Sequence, residues 1–194
     1  MPKLGMEPIR RSALVEATIH EIGAQGTLDV TVSQIAKRAG MSSALAHHYF
    51  GSKEQIFVAA MRHILTLYGA EVRGAMLMAR TPRDRLEAVI RASFAPKQFR
   101  PEFVSAWLNF YVQAQKSEDA RRLLHIYQRR LRSNLHHAFR QIAGADARML
   151  TRGLAAMIDG LYIRQALRAD PMSPAAAIDV LIHYLDTSLS ETHT

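Results

Sequence analysis

The sequence predicts an all-α protein built as a small head on a larger helical body, and three observations carry that prediction. Apolar residues recur at three- and four-residue spacing through almost every segment, whereas no stretch alternates as a half-buried strand would. Helix starts and stops punctuate the chain at Gly26, Gly40, Gly51, Pro82, Pro101 and Pro174. With 194 residues, 48% of them hydrophobic, the chain can bury a substantial core.

Residues 1–8 hold two prolines and a glycine, which predicts an arm carrying Lys3. A helix should follow from Ile9 to about Gln25, with Leu14, Ala17, Thr18 and Ile22 inward and Gly26 as its stop. The next stretch, TVSQIAKRAGMSSALAHHYF over residues 31–50, reads as two short helices around a glycine turn. Thr31 and Gln34 have the spacing of a capping box, Ile35 and Ala36 begin the buried face, and Lys37 and Arg38 suit the last turn of the helix dipole. Gly40 can take the left-handed conformation that ends this helix, and Ser42 caps the second. Leu45 and Tyr49 share one face of that second helix, which leaves Ser43, Ala44, His47 and His48 outward. Small residues let a helix backbone approach base edges, and serine and histidine exchange hydrogen bonds with bases or phosphates. The segment therefore predicts a helix-turn-helix, although a glycine-broken helix pair is also ordinary all-α architecture.

The residues GMSSALAHHYFGSK, 40–53, resemble the recognition segment of TetR-type transcriptional regulators: glycine, apolar, serine, variable residues, then histidine, aromatic, phenylalanine and a lysine three further on. In that family the equivalent of Lys53 contacts phosphate, as does the aromatic that usually stands where His47 stands here. The resemblance implies a three-helix DNA-binding head over residues 1–52 and a helical ligand-binding and dimerisation domain over residues 53–194. Candidate DNA contacts are Thr31, Ser33, Lys37, Arg38, Ser42, Ser43, Ala44, His47, His48, Tyr49 and Lys53, with Arg10 and Arg11 beside the arm reaching phosphate or minor groove. The opening MPKLGMEPIRR and the later FVSAWLNFYVQAQ, RRLLHIYQRRLRSNL and AAMIDGLYIRQALR are similar to the choline-responsive subgroup that represses glycine betaine synthesis operons.

Beyond Ser52 a long helix runs from Lys53 through Ile56, Phe57, Ala60, Met61, Ile64, Leu67 and Tyr68 toward Arg80. Gly69 and Gly74 weaken it by roughly 1 kcal/mol each relative to alanine and mark a bend or a close helix contact. Thr81 and Pro82 open a helix of Leu86, Val89, Ile90 and Phe94. From Pro101 another carries Phe103, Trp107, Phe110 and Tyr111, the first three in one narrow stripe, with Phe99 placed to staple onto Val104. Such a stripe serves as core or as a ligand wall. The subgroup resemblance favours the wall, because choline is a quaternary ammonium with no N–H to donate and is held by aromatic faces, often beside a carboxylate.

Asp159 is the first candidate for that carboxylate, since its helix is otherwise apolar along Leu150, Leu154, Met157, Ile158 and Leu161; Glu102 is the second. Asp159 can equally satisfy a neighbouring backbone or a partner-chain arginine. Tyr127 and Tyr162 are candidates to line the same cavity, or to be packing. An amphipathic helix holds Leu123, Leu124, Tyr127, Leu131, Leu135 and Phe139, and a last helix opened by Ser173 and Pro174 holds Ile178, Leu181, Ile182, Leu185 and Leu189. In the family the last two helices join two subunits in a four-helix contact, which sets two recognition helices on double-stranded palindromic operator DNA.

The net charge of +8 is not itself an argument for DNA. Residues 1–54 carry six Lys/Arg against five Asp/Glu, while residues 80–140 carry thirteen against five, so the excess lies outside the motif. Arg121, Arg122, Arg129, Arg130 and Arg132 read as a solvated helix face. The chain has no cysteine, which removes disulfides, thiolate metal sites and cysteine nucleophiles. The adjacent pairs His47/His48 and His136/His137 point about 100° apart on a helix and make no metal site. With no phosphate loop or nucleophile elbow either, no enzyme and no cofactor is expected. Neither a signal-peptide core nor an apolar run near the roughly 18 residues of a membrane span is present, so a cytoplasmic, soluble protein is expected. Two rivals remain: a repressor answering to another cationic or hydrophobic molecule, and a helical protein-interaction scaffold whose helix-turn-helix is incidental.

Overall fold

A computed structural model describes residues 5–168 and 171–191. Among the described residues there are nine α-helices, one 3₁₀ turn and no strand: α1 (Met6–Gln25), α2 (Val32–Arg38), α3 (Ser43–Phe50), α4 (Lys53–Met78), α5 (Pro82–Ser93), α6 (Pro101–Lys116), α7 (Glu118–Ile142), the turn Gly144–Asp146, α8 (Ala147–Ala166) and α9 (Pro174–Glu191). The all-α expectation is met.

The local chemistry of the caps explains most boundaries. Gln34 N–H donates to Thr31 Oγ1 at 3.2 Å and Thr31 N–H to Gln34 Oε1 at 2.7 Å, which closes the capping box of α2. Gly40 turns the chain at φ +67°, and Ser42 Oγ accepts from Leu45 N–H at 3.2 Å to start α3. Thr81 and Asp84 form a second capping box with Pro82 at the first helical position of α5. One boundary departs from expectation. Helix α1 begins at Met6 and not at Ile9, because Pro8 falls in the first turn, where no intrahelical N–H bond is required and its fixed φ is already helical. The expected arm is shortened accordingly, and Lys3 lies outside the described residues.

A single apolar core runs from head to body. Leu14, Ile22 and Ile35 of the head join Phe57, Met61 and Ile64 of α4, then Leu86 and Ile90 of α5, Leu135 and Phe139 of α7, and Leu154 and Leu181 of the last two helices. Helix α4 belongs to both parts, and α1 also rests on α6. At that crossing a Cβ on Gly23 would lie 2.5 Å from Glu102 Cα, so only glycine lets the two backbones approach. Beside it Asn109 Nδ2 donates to the Gly26 carbonyl at 3.1 Å. Gly69 and Gly74 make no such helix contact: a Cβ at Gly74 would meet open space, and one at Gly69 only the Arg73 guanidinium. On α8 and α9, Met149 and Val180 remain 65% and 39% exposed, and Met157, Leu161, Ile178 and Ile182 are only half-buried.

Candidate DNA interface and effector cavity

Helix α3 lies on the surface of the head. Ala46 is its one buried residue; Tyr49 and Phe50 are half-buried against the core of the head, Leu45 and Ser43 are partly exposed, and Ala44, His47 and His48 are exposed. His47 Nδ1 is 2.9 Å from the Gly51 carbonyl oxygen. A carbonyl only accepts, so Nδ1 carries the proton, and in the neutral ring of this exposed residue Nε2 is left as an acceptor. Such an acceptor suits the N–H₂ edges of adenine or cytosine.

The basic residues divide by what they touch. Thr31, Ser33 and Lys37 are exposed around the start and outer face of α2. Lys53 Nζ donates to the Leu28 carbonyl at 3.0 Å, which uses one of its three donors and pins the start of α4 to the loop before α2. Arg10 reaches the Tyr49 hydroxyl at 3.4 Å. Arg11 and Arg38, expected to be aimed at phosphate, are instead committed within the head. The Arg11 guanidinium lies 4.3 Å over the Phe50 ring and donates to the Tyr49 carbonyl, and Arg38 Nε is ion-paired with Glu21. Each clamps one helix of the motif onto α1.

In the body, a small cavity is lined by Tyr68 of α4, Ser93 of α5, Trp107 and Tyr111 of α6, Tyr127 of α7, and Ile158, Asp159 and Tyr162 of α8. Trp107 stands at its centre. Its ring centroid lies 4.6 Å from that of Tyr127, 6.0 Å from Tyr111 and 6.1 Å from Tyr162, and Tyr68 closes on Tyr127 at 5.9 Å. Three of the four tyrosine hydroxyls are placed by their partners. Ser93 Oγ donates to the Val89 carbonyl at 2.8 Å, so across the 3.1 Å contact Tyr68 must be the donor. Tyr162 donates to the Ser93 carbonyl, backed by Phe94 and Phe99, each 5.4 Å away. Tyr127 donates to Asp159 Oδ1 at 3.0 Å.

Burial sets the electrostatics. It raises the Asp159 carboxyl above the usual range, against the opposing pull of the Tyr111 and Tyr127 hydroxyls. Burial likewise pushes Tyr68 up to about 12 and lifts Tyr111, Tyr127 and Tyr162 well above the ordinary phenol value, the Asp159 charge adding to each. The tyrosines are thus neutral donors, and Asp159 is the one anionic group among the lining residues. Free volume at the centre is only about 10 Å³, room for no more than one water.

Comparison with known proteins bears on both sites. Residues 14–60 match the family described as bacterial regulatory proteins, tetR family, and residues 82–190 match the BetI-type transcriptional repressor C-terminal domain. The chain is 54% identical to the HTH-type transcriptional regulator BetI of Rhizobium meliloti (strain 1021) over 190 residues, 97% of this chain and 94% of that one. The chain belongs to the TetR family, in its BetI-type branch. It is therefore a DNA-binding transcriptional regulator and not an enzyme. The BetI of Brucella anthropi is 51% identical over 97% of this chain and 98% of its own. Two solved TetR-like folds agree in architecture. A TetR transcription regulator from Haloarcula marismortui superposes with a TM-score of 0.82 at 22% identity, over 93% of this chain and 98% of that one. A transcriptional regulator from Saccharomonospora viridis, in complex with choline, superposes at 0.78 with 23% identity over 91% and 95%.

For this BetI-type chain, five of the residues read as effector contacts, Trp107, Tyr111, Tyr127, Asp159 and Tyr162, come together in the cavity. Phe103 and Phe110 do not. Phe110 is fully buried against Phe57 at 6.4 Å, and Phe103, one turn before Trp107, is buried under the Arg100 guanidinium, 4.7 Å from its ring. Glu102 sits against Gly23 and is likewise away from the box. Tyr68 and Ser93 were not anticipated: Tyr68 reads as one more apolar position of α4, and nothing local distinguishes Ser93. Among the described residues no helix is long and apolar enough to cross a membrane.

Proposed function

We propose that the protein is a cytoplasmic repressor of an operon converting choline to glycine betaine, and that choline held in the aromatic box weakens its grip on DNA. The observation that carries the reading is the box itself: four tyrosines and Trp107 around one partly buried carboxylate. A quaternary ammonium has no N–H to satisfy, so ring faces and a nearby anion are what it requires. Neutral hydrophobic effectors would gain nothing from Asp159. The BetI names of the relatives and the choline bound by the Saccharomonospora viridis protein point the same way.

Residues 1–52 serve as the DNA-binding head and residues 53–194 as the effector and dimerisation domain. The incompletely buried apolar residues of α8 and α9 are covered by the same helices of a second subunit. Two α3 helices then meet successive major-groove faces of a palindromic operator, with Ser43, Ala44, His47 and His48 toward the bases and Thr31, Ser33, Lys37, Ser42, Tyr49, Lys53 and Arg10 toward the backbone. Choline must enlarge the box to enter, so it binds the expanded conformer preferentially and shifts the pair of heads away from operator spacing. Mobility-shift titration of a palindromic fragment from upstream of the operon, with and without choline, tests this. Operator affinity should fall at saturating choline; unchanged affinity removes choline as the effector.

A further inference from the structure

We propose that the aromatic box and the groove outside it form one two-part site, accepting a quaternary ammonium whose alcohol carries a phosphate ester. The inference rests on the ammonium reading of the box given above. Between α4 and α7 lies a second cavity of about 240 Å³, open to solvent, whose wall includes Tyr68, Gly69, Arg73, Tyr127, Arg130 and Asn134. Tyr68 and Tyr127 belong to both cavities, so the same two rings that close the box form the inner wall of the groove. No acidic residue lines the groove.

Two features give the groove its chemistry. Arg73 folds back along α4, its Nη1 3.3 Å from where a Cβ of Gly69 would stand, which sets the guanidinium over the residue next to Tyr68. Arg130 and Asn134 rise from α7 one turn and two turns beyond Tyr127, on the same side of the helix. Neither Arg73 nor Arg130 has a carboxylate partner among the described residues. Two uncompensated guanidinium groups beside a cation site disfavour a bare cation. They suit a ligand whose cationic head enters the box while an anionic tail stays in the groove. A phosphate monoester of choline has that arrangement, a short two-carbon link joining its cationic head to the anion. Guanidinium forks match phosphate oxygens, and the Asn134 amide supplies a further donor.

Isothermal titration of the full-length protein with choline and with phosphocholine, at low and high salt, tests the proposal. At low salt phosphocholine should bind about tenfold tighter than choline, the gap closing as salt screens the exposed arginines. In the Arg73→Gln/Arg130→Gln double variant the gap should vanish while choline binds as well as before or better. Arg132→Gln, on α7 but outside the groove, should keep it. All these arginines are exposed, and unchanged melting curves will verify that the variants fold. Choline binding as tightly as phosphocholine, or a preference that survives the double substitution, overturns the two-part site and leaves the ammonium box standing. Binding of neither ligand overturns the box and this inference with it.

Discussion

Replacing Asp159 by asparagine separates two consequences of burying a carboxylate. The substitution keeps the shape and an oxygen able to accept from Tyr127, at 3.0 Å in the native protein; it removes the charge and turns the second oxygen into an amide NH2. A cation seated against these rings stands about 4 Å from the carboxylate, where two unit charges attract by about 4 kcal/mol at an effective dielectric near 20. Desolvation of both groups takes back roughly half of this, which leaves about 1.5–3 kcal/mol, or a loss of about 10- to 100-fold in choline affinity. The same charge works against the unliganded fold. Burial raises the Asp159 pKa above its unfolded value, so the group contributes most to stability when protonated and loses that contribution as pH rises through the raised pKa. At neutral pH the asparagine variant should therefore melt higher, each kcal/mol being worth about 2–4 °C for a chain of this length. The difference should close toward the ordinary carboxylate pKa. Native choline affinity should also fall as the solution is acidified through the raised pKa, whereas the variant should show no such fall. Calorimetric titration and differential scanning calorimetry across pH read both quantities. Choline affinity within threefold of the native value, or a variant that melts lower at neutral pH, refutes the electrostatic account.

Three further substitutions test the head and its joint with the body. Thr31→Ala removes the capping box of α2 and should cost about 1 kcal/mol, read by chemical denaturation, with operator affinity falling in parallel. Lys53→Ala should weaken binding to all duplexes alike and reduce the salt slope by about one ion, whereas His47→Ala should change which bases are preferred; a panel of operator variants at several salt concentrations separates the two. Gly23→Ala places a Cβ 2.5 Å from the Glu102 backbone and should destabilise by about 1–3 kcal/mol in thermal melts, because neither helix can yield without moving the head on the body.

What could be read from the chain divides along local and long-range lines. The head was legible because its determinants are neighbours in sequence: Thr31 with Gln34, Ser42 with Leu45, a positive φ at Gly40. The box was legible in part, because aromatic rings and a lone acid in an apolar helix announce themselves by type. Periodicity then misled. Phe103, Trp107 and Phe110 share a stripe, yet α6 packs on α1, α4, α7 and α8 together, so one stripe meets several neighbours and only Trp107 of the three meets the box. Tyr68 and Ser93 come from helices whose approach to α6 no local spacing encodes. Arg11 and Arg38 illustrate the converse: composition marks a cation, but Phe50 and Glu21 decide that each is spent on the head's own packing.

A box too small for its proposed ligand is the strongest reason to expect coupling between ligand and DNA. Interiors are close-packed, so choline can enter only if helices move apart. The two lining helices with direct ties to the head are α4 and α6. Helix α6 presents Trp107 and Tyr111 to the box, while on its other side Glu102 abuts Gly23 and Asn109 holds the Gly26 carbonyl, both on α1 or its cap. Helix α4 contributes Tyr68 to the box and, at its far end, begins with Lys53 bonded to Leu28 just before the helix-turn-helix. Displacing either helix by the volume of a trimethylammonium group must move the surface on which α1 rests or the stem from which α3 leads. A preformed, roomy cavity in the same place would bind choline with no such consequence, since a ligand that fits both conformers equally shifts neither.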